Sequence, residues 1–109
     1  MSSETPADTS QYNPGADECF FDVVVPITSP EVAVTSTLRE GDPLDVILEA
    51  DPHGNRFPKL VTADGRAVGG IGDVRYGLVI ACMDRGQKYA ATVKEIKPSG
   101  TGSVRFYST

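Results

Sequence analysis

The stretch Leu44–Ile71, LDVILEADPHGNRFPKLVTADGRAVGGI, decides the fold. In Leu44–Ala50, Leu44, Val46 and Leu48 fall on one face and Asp45, Ile47 and Glu49 on the other, which is the period-two pattern of a half-buried strand. Asp51–Pro58 (DPHGNRFP) reads as a loop, and Lys59–Thr62 resumes an apolar strand. Asp64-Gly65, set between two apolar runs, predicts a hairpin with a type I′ turn, because both central residues of that turn need positive φ. Ala67–Ile71 is then the returning strand.

The same reading extends in both directions. Upstream, Cys19–Ile27 (CFFDVVVPI) is β-branched and aromatic, and Pro26 suits a strand end or edge. Glu31–Thr37 alternates as a short strand or extended link, and Arg39–Pro43 is a turn cluster. Downstream, Asp73 is placed to cap a helix over 73–85, with Val74, Leu78, Ala81 and Cys82 on one face and Gly86 closing it. Lys88–Ile96 alternates again, PSGTG at 98–102 turns the chain, and Ser103–Tyr107 pairs back. These elements predict a mainly β fold, a small OB-like barrel or curled antiparallel sheet with one helix, since closure removes vulnerable edges.

The chain of 109 residues fits one domain, expected over 19–109. Residues 1–18 (MSSETPADTSQYNPGADE) offer almost nothing to bury and are expected to be a disordered acidic tail. No apolar run is long enough for a membrane span and no signal peptide is recognisable at the start, so a cytoplasmic protein is expected. Cys19 and Cys82 are too few and too far apart for a disulfide framework; one pair would bridge only in an oxidising compartment, and they are read as two buried thiols.

Net charge is −5, distributed unevenly. Residues 1–51 hold eleven acids and one base, Arg39, while residues 52–109 hold nine bases and four acids. An acidic first half disfavours generic polyanion binding but leaves room for a local basic face.

Leu44–Ile96 resembles the HIRAN domain. The resemblance rests on the strand LDVILEA, the loop DPHGN, the strand KLVT, the turn ADGR, the pair Val68-Gly69, a helix ending near Asp84 and the run Ala91-Thr92-Val93. It implies an OB-like barrel with helices and an activity of binding nucleic acid, notably single-stranded ends.

Catalytic signatures are missing from the sequence. His53 is the only histidine and lies in a Pro/Gly/Asn loop, with no nucleophile motif to serve. Asp51, His53 and Asn55 alternate like ligands, yet turns use the same residue types for their own hydrogen bonds. Two cysteines and one distant histidine make no zinc set. Gly69-Gly70-Ile71-Gly72-Asp73 matches neither phosphate-binding glycine motif and is read as a tight bend. No enzyme, cofactor or metal is expected.

Two binding readings follow. In the first, Arg56, Lys59, Arg85 and Lys88 take phosphates while Tyr76 and Tyr89 stack on bases, within a wider set that includes Arg66, Arg75, Lys94, Arg105, Phe57 and Tyr107. In the second, the chain is a small acidic protein-binding factor, such as an inhibitor, immunity protein or antitoxin, whose Asp42, Asp45 and Glu49 engage a basic partner.

Overall fold

The structure, a computed structural model, describes residue 15 and residues 17–109. Most of the expected tail therefore lies outside the described residues, and its last two residues, Asp17 and Glu18, belong to a 3-10 turn over Asp17–Cys19. Six strands follow: β1 (Asp22–Thr28), β2 (Pro43–Ala50), β3 (Arg56–Val61), β4 (Ala67–Ile71), β5 (Tyr89–Ile96) and β6 (Gly102–Ser108). Every pairing is antiparallel, and the order β1-β4-β3-β2-β5-β6 closes on itself as a barrel. The mainly β, closed architecture expected from the alternating runs is the one observed.

The interior is filled by the predicted faces. Leu44 and Val46 of β2, Leu60 of β3, Val68 and Ile71 of β4, Tyr89, Ala91 and Val93 of β5, and Val104 and Phe106 of β6 are buried together. At one end the rings of Phe21, Tyr89 and Phe106 meet at centroid distances of 4.9–5.6 Å. Such contacts add to the burial that drives closure.

All three hairpins use one turn device. The backbone N–H of Asp51, Thr62 and Lys97 donates to the carbonyl of Asn55, Arg66 and Thr101 respectively, and Gly54, Gly65 and Gly100 have φ of +84°, +89° and +91°. Each is thus a three-residue loop whose last position is left-handed. The type I′ turn expected at Asp64-Gly65 is corrected accordingly, since only Gly65 has positive φ there. The register of β3 against β4 shifts between Leu60 and Val61, next to this loop.

Other expectations also change. Glu31–Thr37 is not a strand; Val32–Thr35 forms a four-residue helix, α1. Its Ser/Thr composition offers local bonds that compete with strand pairing, as where the Thr37 hydroxyl donates to the Val34 carbonyl, and a long-range bond fixes the turn in place, the buried Thr35 hydroxyl donating to the Gly100 carbonyl at 2.8 Å. The main helix, α2, is shorter than expected and spans Tyr76–Asp84. Asp73 does not cap it. Asp73 takes φ of +59° in the bend leaving β4, and Arg75 occupies the N-cap without a side-chain bond. Val79 and Cys82 are its most deeply buried residues, because α2 packs on β3 and on the 3-10 turn.

That packing corrects the cysteine reading. Cys19 and Cys82, 63 positions apart, are joined in a disulfide with Cα atoms 5.6 Å apart. Disulfides persist in oxidising compartments and are rare in the cytosol, so the pair does not support the cytoplasmic expectation. No helix among the described residues is long and apolar enough to cross a membrane.

Candidate interaction surface

The bend at Gly69–Gly72 is a packing device. A Cβ at Gly69 would stand 2.7 Å from the Thr28 carbonyl oxygen, and one at Gly72 would stand 2.9 Å from the Pro26 ring. These glycines let the end of β1 lie against β4 and leave no cradle for a phosphate.

Several of the basic and aromatic residues singled out in the sequence are engaged within the chain. Arg56 makes a two-pronged ion pair with Asp84, both contacts at 2.8 Å, which fastens the start of β3 to the end of α2. This pairing holds the Asp84 carboxyl below its ordinary range. Lys59 bonds Glu49 at 2.6 Å across the β2–β3 pair. The Tyr76 hydroxyl donates to the Ile71 carbonyl at 2.7 Å, although the ring is partly exposed. Tyr89 lies in the core with its hydroxyl donating to the Cys19 carbonyl at 2.6 Å, and burial pushes that hydroxyl's pKa up. Its ring presents no free face for a base. Arg85 and Lys88 are exposed beyond the end of α2. Further along the surface, Arg105 pairs with Asp22 and lies 4.5 Å over the Tyr107 ring, and Arg66 pairs with Asp64.

The three acids named for a protein partner separate by role. Asp42 accepts the Arg39 backbone N–H at 2.9 Å and so shapes the turn into β2. Glu49 is engaged by Lys59. Asp45 is exposed and forms no ion pair among the described residues, and Ile47, two residues on along the same outer face, is also exposed. At the His53 loop the Asp51 carboxylate accepts the N–H groups of His53 and Asn55 at 2.8 and 2.9 Å, so turn chemistry accounts for that cluster. Among the described residues no group of three or more His, Cys, Asp or Glu side chains is placed to hold a metal.

A concavity adjoins Asp45. It is a groove of about 510 Å³ walled on one side by Asp45–Leu48 and on the other by Met83, Gly86, Gln87, Lys88 and Tyr89. It exists because β2 outruns its neighbour. The β2–β5 pairing covers only Pro43–Asp45, whereas β2 pairs with β3 from Asp45 through to Ala50. The chain leaving α2 turns at Gly86 and enters β5 only at Tyr89, so no described strand flanks the second half of β2 on that side.

Two prolines fix which backbone groups line the gap. Pro58, opposite Leu48, has no N–H to donate, and Asp51 bonds toward the β3 side through Asn55. Bonding direction alternates along an antiparallel strand, so Asp45, Ile47 and Glu49 face β3 while Leu48 turns its N–H and C=O toward the groove. Pro43, opposite Thr92 in β5, obeys the same parity. Sequence patterning found the side-chain faces of β2 but missed this edge, and it read Arg56–Pro58 as the end of a loop where the structure has the start of β3.

The fold is similar to that in a crystal structure of a protein from Lactobacillus plantarum, with a TM-score of 0.59 and 20% sequence identity over 82% of this chain and 92% of that one. At that identity the likeness concerns the fold alone. No family model matches the chain, and no curated protein does.

Proposed function

We propose that this domain is a non-enzymatic protein-binding module that engages a partner carrying basic residues through the Asp45 side of β2. The observation that supports it is the contrast in side-chain engagement: Arg56 and Lys59 are occupied by acids of the same chain and Tyr89 is in the core, whereas Asp45 and Ile47 are exposed beside an open groove, Asp45 with no ion pair among the described residues. An exposed carboxylate next to apolar surface suits a basic-apolar segment, with the charge contributing to encounter and register more than to raw affinity. The nucleic-acid reading that follows from the HIRAN resemblance makes the opposite demand, for free cations and free rings on one face.

The two are separated by titrating the isotope-labelled protein with a Lys-containing apolar peptide and, separately, with single-stranded DNA, while following backbone amide shifts by NMR. Peptide-dependent shifts centred on 45–48, weakened by Asp45→Lys, are the expected result. Shifts confined to the DNA titration, falling steeply with salt, would instead favour nucleic acid.

A further inference from the structure

We propose that β2 accepts a seventh strand: an extended segment of a partner protein that hydrogen-bonds to the Leu48 main chain and lays alternate apolar side chains into the groove. The inference rests on the protein-binding reading above and specifies its mode. Three observations converge on one place. The N–H and C=O of Leu48 point away from β3, beyond the last β2–β5 pair at Asp45 and Ala90. The groove they enter is lined in part by Val46, Leu48 and Met83. Its two walls also carry opposite charges, Asp45 on β2 and Lys88 across from it.

Those features set the chemistry of the occupant. An exposed strand edge is a template for another chain, and peptide recognition by strand addition draws affinity from main-chain bonds and selectivity from side-chain pockets. A helix could fill the apolar space but could not satisfy Leu48, because its own backbone groups are already bonded to one another. A nucleic acid strand offers no matching alternation of donors and acceptors. The segment that fits is short and extended, since the open edge runs only from Val46 to Ala50, with an apolar centre, a basic residue to meet Asp45 and an acidic residue to meet Lys88. The Lys88 wall is itself well supported: the Lys88 carbonyl accepts the Thr109 backbone N–H at 3.0 Å and the Gln87 side-chain amide at 2.8 Å.

The probe is a synthetic peptide with a Val/Thr alternating centre, an Arg at one end and a Glu at the other, compared with the same peptide N-methylated at alternate amides in each of the two phases. Binding to the intact protein is followed by calorimetry and by hydrogen exchange at the Leu48 amide. Strand addition predicts that N-methylation in one phase weakens binding by about tenfold or more, the loss of one or two net hydrogen bonds, while the other phase is better tolerated. It also predicts that Leu48 exchange slows in the complex. Leu48→Pro, which removes a donor that β3 does not use, should reproduce the loss; thermal melting verifies that this variant is folded, and the methylated peptides stand as the test if it is not. Equal binding of all three peptides, still weakened by Asp45→Lys, would overturn strand addition and leave the protein-binding reading in place. No binding of any peptide at millimolar concentration would overturn both.

Discussion

Among single residues, the glycines separate backbone strain from steric contact. Gly54 and Gly65 have positive φ with nothing within 4 Å of where a Cβ would lie, so alanine there meets only backbone strain, of about 1 kcal/mol. Gly77, in the first turn of α2, has equally open surroundings but no positive φ, and its replacement by alanine should stabilise by about 0.5–1 kcal/mol. Chemical denaturation of Gly65→Ala and Gly77→Ala should therefore show midpoint shifts of opposite sign; shifts of the same sign would contradict the assigned turn geometry. The sequence announced the Gly65 turn through Asp64-Gly65, but not its type, because a left-handed Gly is common to two- and three-residue hairpin loops. Tyr89 was harder to place. Alternation assigned it correctly to the same face as Ala91 and Val93, yet the same residue also looked suitable for stacking, and only the position of Cys19 beside its hydroxyl decides between the two.

Among the elements, β2 and β5 were legible because alternate positions are buried along much of each, so a period-two pattern is written into the chain, whereas β3, β4 and β6 were marked by the turns beside them, and the first half of β3, Arg56–Pro58, was read as loop. α1 was not legible, since β-branched residues and Ser/Thr in Glu31–Thr37 satisfy both a strand pattern and a single helical turn. What settles it is a distant acceptor, the Gly100 carbonyl, bound by the buried Thr35 hydroxyl. Replacing Thr35 with the near-isosteric Val should leave that carbonyl without its partner and cost about 1–3 kcal/mol. Thermal melting should show the loss, and an unchanged midpoint would mean that the α1 contact to the β5–β6 turn carries little of the fold. The groove was invisible to patterning for a related reason: it arises from the unequal reach of β2 and β5, a relation between elements far apart in sequence.

For the whole molecule, the disulfide is the main stabilising feature that patterning misread. Bridging 63 positions restricts the unfolded chain, and on the chain-entropy account the bond contributes about 4 kcal/mol. Urea unfolding with and without a thiol reductant should show a difference of that order; coincident curves would mean that the reduced chain is already constrained or that the bond is absent under those conditions. Both cysteines are buried, so reduction should require prior opening of the α2 end of the barrel.

The same bond has a topological consequence. Residues 19–82 form a covalent ring that contains β1, β2, β3, β4 and most of α2, while β5 and β6 hang from it as a linear extension that fills the gap between β1 and β2. A single cut in the exposed loop at Pro52–Asn55 would therefore leave one molecule, its two parts tied through sulfur as well as through the strand ladder. A cut at Pro98–Thr101 would leave β6 with no covalent tie to the rest, held only by its pairing with β1 and β5 and its packing in the core. Two turns with the same local geometry thus differ in whether opening them divides the protein into two separate molecules.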